Sequence, residues 1–423
     1  MGRIVQKFGG SSVADADSIK RVARRIARTR ADGHDVIIVI SAMGDTTDEL
    51  MDLALQVSPQ PKSRELDMLL TTGERQSAAL LAMALSDLGV EAVSYTGSQA
   101  GIITTATHGN ARIIDITPGR IVRSLDEGSV VIVAGFQGVA QTTKDVTTLG
   151  RGASDTTAVA LASALGADYC EIYSDVDGVY TADPRIVNGA RHIPEICYEE
   201  MLEMAACGAK ILHLRCVEYA RREHVSVHVR SSFTEKPGTW VLDQDQLKGT
   251  AMEEALITGV AHDRSEAKIT IVGVPDRVGE AAAIFQVIAD ADINIDMIVQ
   301  NVSKLSDLST DISFTLPMAD GPKAIKALTD AQQRIGFSEL LYDDQIGKIS
   351  VIGVGMRSHP GVTATFFQAL AEAEVNIQMI STSEIRISVV VGADEVDRGV
   401  KAAHTAFELD ADEAATVYAG TGR

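Results

Sequence analysis

Asp35-Val36-Ile37-Ile38-Val39-Ile40 has no polar residue after its first position, and Ser41-Ala42-Met43-Gly44-Asp45-Thr46-Thr47 follows at once. A half-exposed strand alternates apolar and polar residues. A strand-length run without alternation is buried on both faces, as inside a parallel sheet covered by helices. Reading outward, Arg3–Lys7 is a preceding strand that turns through Gly9-Gly10 into a helix over about Asp15–Ala31. A helix near Glu65–Leu88 comes next, then short strands near Ala92–Tyr95 and Val130–Ala134, a helix over Asp155–Ala164 and a strand over Tyr169–Ser174. Strands alternating with long helices predict an α/β fold, a three-layer sandwich around a mainly parallel sheet. It ends near Val241, after the strand-like Val225–Arg230 and a Pro237-Gly238 turn, so the first domain is set at 1–242.

Residues 243–258 are polar and read as a linker. Beyond it the chain repeats itself: Ile269–Ile298 reads ITIVGVPDRVGEAAAIFQVIADADINIDMI, and Ile349–Ile380 reads ISVIGVGMRSHPGVTATFFQALAEAEVNIQMI. Gly273 matches Gly353, Gly279 matches Gly361 and Asn294 matches Asn376. Each copy runs strand, glycine turn, amphipathic helix and Asn-Ile strand, followed by Asp311–Leu316 or Arg386–Val391 and a second helix. That is a βαββαβ unit present twice, over 259–340 and 341–423, with strands open to exchange between the two.

The formal net charge of −20 disfavours nucleic acid and anionic membrane surfaces as partners. No apolar run approaches the roughly 20 residues of a membrane span, and the N-terminus enters a strand without a signal-peptide core. Cys170, Cys197, Cys207 and Cys216 have no CxxC spacing. Reduced, structural thiols and a cytoplasmic location are expected.

Four loops following strands carry glycines, hydroxyls and charges. Lys7-Phe8-Gly9-Gly10-Ser11-Ser12 puts a cation and a glycine pair where a strand hands over to a helix, a pattern that suits a phosphate. Thr147-Thr148-Leu149-Gly150-Arg151-Gly152-Ala153-Ser154-Asp155 presents an arginine between glycines at a helix start, where bidentate carboxylate recognition is available. Ser174-Asp175-Val176-Asp177-Gly178-Val179-Tyr180 leaves the end of a buried strand, the place where ligands gather in open α/β sheets. Calcium binding is disfavoured there, because Ile186 stands where the loop's glutamate belongs. Ser41–Thr47 and Thr71-Thr72-Gly73-Glu74-Arg75 complete the set. Each loop alone is also ordinary turn and cap chemistry. Neither a Ser-His-Asp nor a Cys-His arrangement nor metal-ligand histidine spacing is visible, so the chemistry is electrostatic, as phosphoryl transfer requires.

The motifs KFGGSS, SAMGDTTDEL, LLTTGER, VAGFQG, TTLGRGASDTTA, YSDVDGVYTADPR and GAKILH stand in the order seen in aspartokinases. The resemblance extends over essentially the whole chain, which is similar to the bacterial type regulated jointly by lysine and threonine. It implies the amino-acid-kinase fold followed by two α+β ACT domains. It also implies ATP-dependent phosphorylation of the L-aspartate side chain to 4-phospho-L-aspartate, the first step toward lysine, threonine, methionine and diaminopimelate. By this resemblance Lys7, Gly9, Gly10 and Ser11 hold the transferred phosphoryl group and Asp155 organises Lys7. Ser41, Thr47, Phe136 and Ser154 surround aspartate, Arg151 takes its carboxylate and Glu74 its ammonium. Ser174, Asp175, Tyr180, Arg185 and Lys210 line the nucleotide site, and magnesium (Mg2+) arrives with ATP. The effector positions are Asp276, Gly279, Glu280, Asn294, Gln300 and Asn301 in the first repeat. In the second they are Met356, His359, Gly361, Thr363 and Asn376, with Asn294 and Asn376 beginning matched strands.

Lysine and threonine are the expected effectors. The assembly is expected to be a homo-oligomer, or a hetero-oligomer with a shorter regulatory chain. One departure stands out: the family has Gly-Arg-Gly-Gly-Ser-Asp, and Ala153 replaces the last glycine here. A methyl group would cost about 1 kcal/mol if that position needs positive φ, and it is expected to tighten the pocket. The alternatives are a kinase for an N-acylated glutamate, an isozyme of a specialised pathway, and a catalytically weak amino-acid sensor.

Overall fold

The structure, a computed structural model, describes residues 2–150, 152–247, 257–301, 309–359, 361–411 and 414–419. The first unit is an eight-stranded sheet of β1 (Arg3–Phe8), β2 (Asp35–Ile40), β3 (Ala92–Tyr95), β4 (Val130–Ala134), β5 (Tyr169–Ser174), β6 (Glu195–Cys197), β7 (Val227–Ser231) and β8 (Thr239–Leu242). Their order is β6-β8-β7-β5-β1-β2-β4-β3, and every neighbouring pair is parallel except β7–β8.

The unbroken apolar run of β2 feeds both faces. Val36, Ile38 and Ile40 pack with Val22 and Ile26 of α1 (Ala16–Ala31) and with Leu81 and Leu85 of α2 (Thr72–Ser86). Ile37 and Val39 pack on the other side with Ala158 and Val159 of α3 (Ala153–Leu165) and Val217 of α4 (Leu214–Glu223). Because α3 is buried almost all round, it carries Ala, Val and Leu rather than one apolar stripe. All four cysteines are free and buried, and burial raises the thiol pKa of each.

The helix expected over Glu65–Leu88 is two, Ser63–Leu70 and α2, broken at Thr71. The hydroxyls of Thr71 and Thr72 donate to the carbonyls of Met68 and Leu69 at 3.2 and 2.7 Å, satisfying acceptors that the break exposes. The break also lets Gly73 approach Ala42, where a Cβ would lie 2.8 Å from the Ala42 Cβ. The strand expected from Val225 begins at Val227.

The second half holds two four-stranded antiparallel sheets. The first is β11 (Ile298–Gln300), β12 (Ser309–Pro317), β10 (Glu266–Pro275) and β13 (Glu339–Asp343). It is covered by α5 (Glu280–Asp290) and α6 (Gly321–Ile335). The other is β9 (Gly259–Asp263), β14 (Ile346–Ile352), β16 (Arg386–Gly392) and β15 (Met379–Thr382). Its helices are α7 (Val362–Glu372) and α8 (Val396–Ala406). The outer place that β13 fills beside β10 is thus filled beside β14 by β9, so the strand that opens the 259–340 stretch belongs to the second sheet and β13, which crosses its end, to the first.

Asn294 and Asn376 do not begin strands; β11 and β15 start at Ile298 and Met379. The stretch between is irregular because Ile293 and Met297 are both buried and tie it to the core. Lys348, fully buried, donates to Glu266 and Asp296 at 2.6 Å each and joins the two sheets. Burial opposes its charge, but the two carboxylates outweigh that and hold the ammonium ionised.

Candidate active site

Two cavities open at the carboxyl ends of the central strands, where an open α/β sheet places ligands. Lys7, Gly10, Ser41, Thr47, Glu74, Phe136 and Ser154 line the first, so residues from five separate loops meet there. Lys7 Nζ lies 2.6 Å from Asp155 Oδ1, both side chains being nearly buried. The ion pair leaves the ammonium fixed in direction and still facing the cavity. The two glycine-bearing loops interlock, with Gly44 N–H donating to Gly10 O at 3.1 Å. A Cβ on Gly10 would lie 2.9 Å from Gly44 O, so only glycine allows this approach.

Phe136 sits at φ 68°, a left-handed conformation that costs a non-glycine residue about 1–2 kcal/mol. Its N–H donates to Thr157 Oγ1 and its carbonyl accepts from Leu149 N–H, which fixes the ring in the wall. Glu74 is 3% exposed, its Oε2 has no hydrogen-bonding partner, and burial pushes its carboxyl up to about 7. An ammonium brought into the cavity would supply both the missing donor and the missing charge.

Arg151 lies outside the described residues. Its flanks are built with care: Gly152 has φ 72°, and a Cβ there would lie 2.6 Å from the His213 ring. Arg215 on α4 donates to Leu149 O at 2.6 Å, Ala111 O at 3.1 Å and Asn110 Oδ1 at 3.3 Å. Asp67, fully buried, accepts from Thr148 Oγ1 at 2.6 Å and from Gly109 N–H, with His108 Nδ1 at 2.7 Å. These two side chains clamp the strand that leads into the glycine turn, and neither was visible from the motifs. The only available signal was that Arg215 closely follows Gly208-Ala209-Lys210-Ile211-Leu212-His213.

Ala153 answers the departure noted above. It is the first residue of α3, in right-handed conformation, and the positive φ values fall on Gly150 and Gly152. Its methyl packs with Leu70, Phe136 and Leu149 behind the wall, so alanine carries no backbone strain there.

The second cavity gathers Ser174, Asp175, Tyr180, Arg185 and Lys210. Asp175 accepts from Ser174 Oγ at 3.1 Å and faces Arg185 at 3.5 Å. Gly9 and Ser11 line neither cavity. Gly9 instead lies against the ends of β1 and β5, its Cβ position 3.4 Å from Lys7 Nζ and 3.8 Å from Tyr173 O. The second cavity has a wall that the motifs did not reveal: Val260, Ala261 and His262 of β9. Gly208 meets β9 so closely that a Cβ would lie 2.1 Å from His262 O.

In the second repeat Met356, His359 and Thr363 share a cavity with Thr382, Ser383 and Glu384, which Gly361 and Asn376 do not line. In the first repeat Asp276, Gly279 and Glu280 stand at the start of α5, where Glu280 pairs with Arg277 at 3.2 Å. Asn294, Gln300 and Asn301 are exposed around β11.

Residues 2–231 match the amino acid kinase family, and residues 269–332 and 349–407 match the ACT domain. The aspartokinase of Mycolicibacterium smegmatis is 64% identical over all 423 residues, covering the whole of both chains. The chain belongs to the aspartokinase family. Two solved structures of E. coli aspartokinase III, another member, are 25% identical to it. The one in complex with aspartate and ADP (R-state) has a TM-score of 0.82, covering 95% of this chain and 99% of that one. The one with lysine and aspartate (T-state) has a TM-score of 0.70, covering 95% and 98%. Among the described residues no helix is long and apolar enough to cross a membrane.

Proposed function

We propose that the chain transfers the γ-phosphoryl group of ATP to the side-chain carboxylate of L-aspartate. A carboxylate oxygen attacks the γ-phosphorus, the bond to the bridging oxygen of ADP breaks, and the product is 4-phospho-L-aspartate. What carries the reading is the Lys7–Asp155 pair, held at the end of β1, the strand beside β5 whose end feeds the other cavity. Lys7 and the backbone of Gly9, Gly10 and Ser11 neutralise the transferred group, since bringing two anions in line is the main barrier to overcome. The aspartate carboxylate is ionised at neutral pH, so no general base is required.

Glu74 takes the ammonium and Arg151 the α-carboxylate, while Ser41, Thr47, Ser154 and the Phe136 ring fill the remaining wall. Ser174, Asp175, Tyr180, Arg185 and Lys210 take the nucleotide. Among the described residues no three His, Cys, Asp or Glu side chains cluster as a metal cage. Mg2+ would arrive on the phosphates, a mode of delivery that needs few protein ligands and lets the ion keep its waters. The ion would offset phosphate charge.

The catalytic unit spans 1–242 and 243–258 connects it to the paired ACT domains. There lysine and threonine bind around the positions named in each repeat and inhibit the enzyme. ACT edges join copies of the chain, or the chain and a shorter regulatory one. The reaction opens the route to lysine, threonine, methionine and diaminopimelate.

The test is hydroxylamine trapping of acyl phosphate from ATP, Mg2+ and L-aspartate, with and without lysine plus threonine. Product that falls when both amino acids are added is the expected result. Product without inhibition removes the regulatory part, and no product removes the kinase.

A further inference from the structure

The loop of residues 175–191, which supplies one wall of the nucleotide cavity, leaves β5 and is anchored at its start to the catalytic core through Val179 and Asp177, but its middle is packed elsewhere. Its Ala182, Val187 and Ala190 are buried in the same apolar cluster as Val351, Val400 and Leu409 of the second ACT sheet and its helix. Thr181 shows the same attachment. Its carbonyl accepts from Val260 N–H at 2.7 Å, and its hydroxyl lies 2.8 Å from His404 Nε2 and 3.3 Å from Leu409 O.

After α8 the chain turns back along the outside of this loop. Ala411 N–H donates to Gly189 O, Ala415 N–H to Asn188 O and Tyr418 N–H to Asp175 O, each at 2.8 Å. Single antiparallel bridges, Ala190–Asp410 and Val176–Val417, continue the pairing. The last contact reaches a residue of the cavity itself: the Asp175 carbonyl is held from outside while the residue lines the cavity.

Two positions further on, Asp177 is 2% exposed and accepts from three donors. They are Thr234 Oγ1 at 2.6 Å, Lys236 Nζ at 2.9 Å and Tyr418 OH at 3.0 Å. Burial alone would raise its carboxyl, and these donors hold it below the usual carboxylate range. The Tyr418 ring stacks on Phe233 at 6.0 Å, so the hydroxyl arrives on a fixed arm.

We infer that residues 409–411 and 414–418 are a strap belonging to the nucleotide site, with Tyr418 a positioning residue for ATP. Released from the strap, the 175–191 loop would occupy its nucleotide-ready geometry only part of the time, and apparent affinity falls by that fraction. The effect falls on ATP and not on aspartate, because no strap residue touches the Lys7 cavity. This rests on the reading of that cavity as the ATP site.

The test compares the full chain, Tyr418→Phe, and a chain lacking residues 414–423. Calorimetric titration with MgATP alone is run beside acyl-phosphate kinetics for both substrates. Tyr418→Phe keeps the stacked ring and is expected to weaken MgATP about fivefold, the net worth of one ordinary hydrogen bond. The shortened chain is expected to lose about tenfold or more, with kcat and aspartate KM within twofold of the parent. Unchanged MgATP affinity in both variants overturns the strap. So does a loss shared by kcat, both KM values and melting temperature, which is what mere destabilisation produces. If the parent forms no acyl phosphate but binds MgATP, the kinase reading falls and the titration still decides the strap.

Discussion

The two cavities lie side by side at one end of one sheet, yet they are built differently. The Lys7 cavity, proposed above for aspartate, takes its lining from the catalytic unit alone, with a second layer (Asp67, Arg215, Thr157) fixing the backbone behind it. The Ser174 cavity, proposed above for the nucleotide, takes one wall from β9, and the middle of its loop is packed on the ACT core. A site inside one rigid core is altered by its own residues. A site shared between two units also responds to anything that moves one against the other.

The sharpest challenge to that division is Lys7→Met. It removes the fixed cation and is expected to lower kcat by about a hundred- to a thousandfold, with MgATP binding changed much less, as acyl-phosphate kinetics and calorimetry together will show. An equal loss in nucleotide affinity would mean the cavities are not separable.

Glu74→Gln comes next, with aspartate KM expected to rise about ten- to a hundredfold, since a charged partner is lost. Its pH behaviour tests the same wall. The folded chain keeps a proton on Glu74 between about pH 4.5 and 7 that the unfolded chain has released. Stability from this group is therefore full below pH 4.5 and lost as pH rises to about 7. At pH 8 the glutamine variant should be more stable by up to about 3 kcal/mol in urea unfolding, and the gap should close by pH 4. Aspartate affinity in the parent should weaken below pH 7, and in Glu74→Gln it should not.

Arg215→Leu frees the strand entering the glycine turn. Aspartate KM is expected to rise about tenfold while ATP KM stays within twofold; a matched rise in both would break the comparison. Smallest of all, Ala153→Gly should leave both KM values within twofold and lower stability by about 0.5–1 kcal/mol in thermal unfolding, because the residue is helical and faces the core.

The parts legible in the sequence were those written in local pattern. The unalternating run of β2 announced a doubly covered sheet, and the duplicated Gly and Asn positions announced paired domains. Most of the loops gathered in the two cavities follow a strand, and strand ends converge wherever a parallel sheet forms; Glu74 and Lys210, which follow helices, are the exceptions. The hidden parts depend on pairing across distance. Arg215 works through three acceptors that lie far before it in the chain, and its own helix gives no reason for it. The contacts of Thr181 with His404 and Leu409 join segments with no shared motif. The break at Thr71 was masked because threonine is compatible with helix, and only the approach of Gly73 to Ala42 requires a bend. Asn294 and Asn376 were misplaced into strands because buried apolar neighbours on either side of an irregular stretch imitate a strand's beginning.

The position of β9 has a consequence for synthesis on the ribosome. Gly259–Asp263 leaves the exit tunnel before any strand of the first ACT sheet, but its partner β14 comes only after that sheet's last strand. At ordinary elongation rates the strand waits several seconds with its edge unsatisfied. During that interval the nucleotide cavity lacks a wall, so the catalytic unit emerges first and becomes competent last. The same order bears on gene architecture: any separately translated regulatory chain must start ahead of Gly259, or its second sheet will be one strand short.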